Sequence, residues 1–112
     1  MNNASTQTLI AAAAAQAGGS VYVDDVFSTF LYDGNSATNT ITNGIDLAGE
    51  GGLVWIKKRD GNGEPSIFDT VRGGSQWLRT SGNDSQLDLG SSDGVTTFNS
   101  DGFVVKGNNV FN

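Results

Sequence analysis

The chain has 112 residues, a net charge of −6 from six Lys and Arg against twelve Asp and Glu, and neither histidine nor cysteine. It is therefore one domain at most, and it carries no basic stripe to neutralise phosphates, so nucleic acid is not an expected partner. No apolar stretch approaches the roughly 20 residues of a membrane span, so no membrane partner is expected, and the absence of cysteine agrees with assembly in a reducing cytoplasm.

Residues 1–19 differ in composition from the rest. Of nine alanines in the chain, seven precede Gly18. Ser5 or Thr6 can cap a helix over residues 7–17, and Gly18-Gly19 ends it. Leu9, Ile10, Ala11, Ala12, Ala13, Ala14 and Ala15 give that helix small side chains, and no side chain from Met1 to Val23 is charged. With no Lys or Arg before the apolar run, the segment lacks the charged start of a signal peptide. An isolated helix of about a dozen residues is marginal in water, so the segment is predicted to anchor the protein on a larger assembly, alongside copies of itself. The alternative is a loose terminal tail.

Residues 20–112 form the second region, a β domain. Sixteen glycines against the single Pro65 indicate many turns, recurring about every ten residues as a sandwich requires. Val21, Val23, Val26, Phe27, Phe30, Leu31 and Tyr32 predict two short strands, broken at Asp24-Asp25 by a bend or bulge. Asp33-Gly34-Asn35-Ser36 is a turn, and residues 38–42 are a polar, β-branched edge strand. After the Asn43-Gly44 turn comes the central stretch, residues 51–74, read as a β-hairpin closed by glycine pairs. Leu53, Val54, Trp55 and Ile56 form its first arm and residues 67–72 its second, around the turn chemistry of Asp60-Gly61-Asn62-Gly63-Glu64-Pro65. The first arm is apolar on both alternating sets, which predicts cover on both faces, by a second sheet or another subunit. Val54, Trp55, Ile56, Phe68 and Val71 are accordingly expected in the core or a subunit interface. Residues 76–79 are a further strand, Leu87 and Leu89 mark a weak one, and residues 95–98 and 103–106 make a second hairpin. Val110 and Phe111 predict order to the last residues.

The strings VDDVFSTFLYDGNSATNTITNGIDLAGE, GGLVWIKKRD, FDTVRGG and GVTTFNSDGF, in that order, resemble a family of tail and appendage proteins of tailed bacteriophages, many of them marine. The likeness covers residues 21–112. It implies an antiparallel, concanavalin A-like β-sandwich of jelly-roll type, continuing in that family beyond the point where this sequence stops. It brings no catalytic residue with it. Phage fibres being commonly trimers, the resemblance implies three copies.

Carboxylates are the remaining candidates for chemistry. Without His or Cys the usual triads and zinc sites are unavailable. Glycosidases on such sandwiches need two acids on one strand face, whereas Asp24 and Asp25 are adjacent and Asp60 and Glu64 flank a turn, so no enzyme activity is expected. Residues 60–64 open like an EF-hand loop, but Pro65 stands where glycine is required and Val71 where the bidentate acid should be. No metal or other cofactor is expected. Lys57-Lys58-Arg59 reads as a solvated strand end. Trp55 reads as core, while Trp77, with Gln76 and Arg79 beside it, is the candidate for ligand contact, together with Arg79.

The expected function is that of a structural virion protein, a tail-fibre or appendage subunit docked through its N-terminal region onto tail or other virion proteins. The alternatives are a lectin-like module binding host-surface glycan, and a capsid decoration protein.

Overall fold

A computed structural model describes residues 20–107 and 110–112. The expected helical anchor, with Leu9, Ile10 and Ala11 to Ala15, lies outside the described residues.

The alternation of side chains decides the architecture. In β2 (Leu53–Ile56) Val54 and Ile56 are buried and Leu53 and Trp55 exposed. β2 pairs antiparallel with β3 (Ser66–Asp69), Val54 opposite Phe68 and Ile56 opposite Ser66. One face of the hairpin thus carries Val54, Ile56, Ser66 and Phe68 inward, as a strand period of two dictates. β4 (Gly73–Arg79) and the two-residue β5 (Leu87–Asp88) extend this sheet in the order β2-β3-β4-β5. A second, three-stranded sheet has β7 (Gly102–Lys106) between β1 (Asn39–Thr42) and β6 (Gly94–Asn99), again all antiparallel.

The two sheets form a sandwich-like pair. Ile41, Val95, Phe103 and Val105 from the smaller sheet meet Val54, Ile56 and Phe68 from the larger, with Leu47 and Phe111 closing the core. The sheets come closest where β4 faces β6. A Cβ on Gly74 would sit 1.6 Å from the Val95 carbonyl oxygen, so only glycine allows that approach. The chain is mainly β, as expected, and both predicted hairpins are present. The central one spans a longer loop, residues 57–65, and β1 lies at a sheet edge.

Two expectations require correction. Residues 20–32 form no strand; they hold one helical turn, α1 (Val23–Val26), followed by irregular backbone. The Asp25 carboxylate accepts the Tyr22 N–H at 2.8 Å, and the Phe27 N–H donates to the Val23 carbonyl at 2.7 Å. Two consecutive aspartates disfavour a strand, and here they favour the first turn of a helix instead. The second arm of the central hairpin stops at Asp69 rather than Arg72. Asp69 Oδ1 accepts the N–H groups of Val71 at 3.0 Å and Arg72 at 2.7 Å, an Asx turn that ends the strand. Val71 is left at the tip, 94% exposed, so it is not a core residue.

Residues 110–112 are built into the fold. Phe111 is buried edge-on against Phe68, with ring centroids 5.6 Å apart, and against Trp77 at 6.0 Å. Its carbonyl accepts the Tyr32 hydroxyl at 2.5 Å. The Asn112 side chain accepts from the Asn35 N–H at 3.1 Å and Asn39 Nδ2 at 3.2 Å, and donates to the Ala37 carbonyl.

Candidate assembly surface

Two parts of the surface present tryptophan, and they differ in how they are held. Trp77 lies on β4 with its ring toward the core. Its indole N–H donates to Ser66 Oγ at 2.7 Å, and that hydroxyl donates to the Glu64 carbonyl at 3.1 Å. The Arg79 guanidinium lies 5.2 Å from the ring centroid, a cation–π contact. Arg79 is fixed in turn by Glu64 at 3.2 Å and Asp84 at 2.9 Å. Trp77 and Arg79 are therefore brought together, with the indole edge on Phe111 and the cation already paired. A sugar could stack there only after displacing Arg79.

The titratable groups around this cluster behave as structural ones. The Ser81 hydroxyl, and after it Arg79, hold the Glu64 carboxyl below its usual range. The Arg72 backbone N–H, followed by the Arg72 side chain, does the same for Asp69, and the Gly90 N–H, with the Ser75 hydroxyl, for Asp88. Tyr32 is pushed up to about 12 by burial. A glycosidase needs a carboxyl raised to serve as general acid; all three shifted carboxyls move the other way. Among the described residues no group of three Asp or Glu is placed to hold a metal ion.

The second part is the open flank of the sandwich, where β1 and β2 are the free edges of their sheets. A groove of about 950 Å³ runs there, between a wall from residues 26–34 and a wall from residues 53–60. Core residues such as Ile41, Ile56 and Phe103 form its floor. Its rims are apolar and open to solvent: Phe27 is 63% exposed, Leu31 72%, Leu53 58% and Trp55 65%. Trp55 is therefore not in the core of this chain, which corrects its reading as a core residue and leaves the subunit interface of its two expected places. The strand faces the second sheet with Val54 and Ile56, and among the described residues nothing buries Leu53 and Trp55 on the other face.

Lys57, Lys58 and Arg59 follow directly on β2 and line the same groove. They are half of the chain's six Lys and Arg. Among the described residues the ion pairs are those of Arg72 and Arg79, and this cluster takes part in none of them. Sequence reasoning missed the flank because Leu53 and Trp55 are as apolar as Val54 and Ile56, and the pattern does not say which face is covered. The signal that could have found it is the cationic run directly after the arm, since charge at that point marks the solvent end of an edge strand.

Against known proteins, a family model described as a domain of unknown function, DUF7483, matches residues 23–112, well over half of the chain. Comparisons with curated proteins and with solved structures find no match in either.

Proposed function

We propose that this chain, which belongs to the DUF7483 family, is a structural subunit of a bacteriophage appendage and not an enzyme, built to be held by other proteins through its open flank and its N-terminal region. The observation that carries the reading is the placement of its exposed apolar side chains. Six of them, Val26, Phe27, Phe30, Leu31, Leu53 and Trp55, line one groove; Val21, Tyr22 and Val23 precede it in the chain, and Val71 and Leu87 stand apart. Contiguous patches of this kind mark interaction surfaces, whereas single exposed apolar residues need no explanation. The downward-shifted carboxyls also suit a structural role, and the motif resemblance over residues 21–112 supplies the virion setting.

Cryo-electron microscopy of purified particles, with the protein located by antibody labelling, tests the reading. Density for the β domain on a tail or appendage is the expected result; absence of the protein from particles overturns it.

One observation favours a second reading. An indole 65% exposed beside three cations is also a platform for a sugar ring. Under this reading host glycan binds at Trp55, and a glycan array would show binding abolished by Trp55→Ala and retained in Trp77→Phe.

A further inference from the structure

Two sets of exposed apolar side chains lie on this chain, and they complement each other in charge. The first set is Val21, Tyr22, Val23 and Val26, which are 65–74% exposed on and beside α1. None of the α1 residues is buried. A single helical turn with nothing packed on it is not self-supporting in water. Within it, Asp24 and Asp25 carry two negative charges that are in no ion pair among the described residues.

The second set is the groove rim formed by Phe27, Leu31, Leu53 and Trp55, with Lys57, Lys58 and Arg59 at the end of β2. Here three cations outweigh the adjoining Asp60, which lines the same groove, and among the described residues none of the three is in an ion pair. Val26, the last residue of α1, borders its own chain's groove, whereas Val21, Tyr22 and Val23 lie outside it. A net charge of −6 makes copies of the chain repel each other in general. The cationic end of the groove is where that repulsion is locally reversed, since Arg72 and Arg79 are already neutralised by Asp69, Glu64 and Asp84.

We infer that residues 20–26 of one copy occupy the open flank of a second copy. Val21, Tyr22, Val23 and Val26 cover the Leu53 and Trp55 face, and Asp24 and Asp25 meet Lys57, Lys58 and Arg59. The free edge of β2 offers unpaired backbone groups to the incoming chain as well. Each copy carries one donor segment and one acceptor groove, so the contact repeats from copy to copy, closing into a ring, of which a two-fold pair is the smallest, or running on as a filament. This deepens the assembly reading above, on which it rests, by naming the partner as this same chain.

The test is sedimentation velocity of the full chain over a wide concentration series, at low and high salt. The wild type associates, less strongly in high salt. The charge reversals D24K/D25K and K57E/K58E/R59E each weaken association about tenfold or more. Mixing the two reversed proteins restores it, because each donor then meets a groove of opposite sign. Cysteines introduced singly at Tyr22→Cys and Trp55→Cys form a disulfide between copies when the two variants are mixed and oxidised. Circular dichroism confirms that each variant keeps its β signal.

A wild type that stays monomeric throughout overturns the inference. So does a mixture of reversed variants that fails to associate, or a Tyr22→Cys/Trp55→Cys double variant that closes within one chain at high dilution. Loss of self-association with the protein still present in particles sinks this inference alone. Self-association with no protein in particles supports it and sinks the virion reading.

Discussion

Trp55 and Trp77 lie in one sheet, on strands β2 and β4 with β3 between them, and the chain treats them differently. Trp77 has a hydrogen-bond partner for its N–H, a guanidinium beside its ring and an aromatic edge against Phe111. Trp55, opposite Ile67 on the outward face, has none of these and is 65% exposed. The closed region is finished by polar side chains that satisfy one another. The open region combines bare apolar faces with unpaired charge. A large aromatic is thus no marker of the core by itself; what distinguishes the two is whether the polar groups around each ring find partners within the chain.

Substitutions in the two regions should separate accordingly. The largest effect is expected for Phe68→Ala, which empties a site of 0% exposure between the sheets. It should cost about 3–5 kcal/mol in urea unfolding. A loss near 1 kcal/mol would mean that the closed region is loosely packed and the comparison false. Asn112→Ala comes next. It leaves the Ala37 carbonyl and the Asn35 N–H without their partner, with an expected loss of about 2 kcal/mol and faster amide exchange at Asn35.

Trp77→Phe keeps an aromatic ring but removes the donor to Ser66, which is itself fully buried. Its cost should be about 1–2 kcal/mol. If the variant is as stable as the parent, the polar finish around Trp77 contributes nothing. Trp55→Ala, by contrast, should change the unfolding free energy of the isolated chain by less than about 1 kcal/mol, since surface substitutions sit in that range, while reducing self-association.

The smallest effect concerns acid. Glu64, Asp69 and Asp88 all have folded pKa values held below their ordinary ones. The unfolded chain therefore takes up protons first as pH falls. The stabilisation these groups give is complete above the ordinary carboxylate range and is lost as pH drops through the lowered folded values. Asp88 is exposed and Glu64 and Asp69 are half-buried at the surface, so solvent screening keeps each contribution small. Asp69→Asn should flatten the acid limb of the stability curve slightly.

Much of the sheet architecture was legible from residues alone. The Asn43-Gly44 turn, the glycine-bounded central hairpin and the 95–98 and 103–106 hairpin each combine turn chemistry with an apolar arm, and local signals of that kind survive packing. Residues 20–32 misled because Val21, Val23 and Val26 alternate like a strand, while the local hydrogen bond from Tyr22 to Asp25 decides in favour of a helical turn. Val71 misled because the Asp69 side chain, which ends the strand, competes with the ladder through a contact only two residues away. The open flank was hidden for a different reason. Covering one face of β2 and leaving the other bare depends on where the second sheet lies, and that is set by Gly74, Val95 and Phe103, far from β2 in sequence.

The clasp between Asn112 and residues 35–39 bears on the order in which the molecule can form. The β2, β3 and β4 strands meet through neighbouring segments and can pair as soon as they are made. β1 finds its only ladder with β7, Asn39 opposite Val105, and the backbone beside it is held by a side chain 73 to 77 residues away. Contacts so distant in sequence come at the cost of closing a long loop and slow the search for the native state. During synthesis on the ribosome the larger sheet can therefore take shape first, and β1 must wait, unpaired and sticky, until β7 has been made. A delay in that step would leave two raw sheet edges on a partly formed domain, and chaperone dependence or aggregation at high expression would be its outward sign.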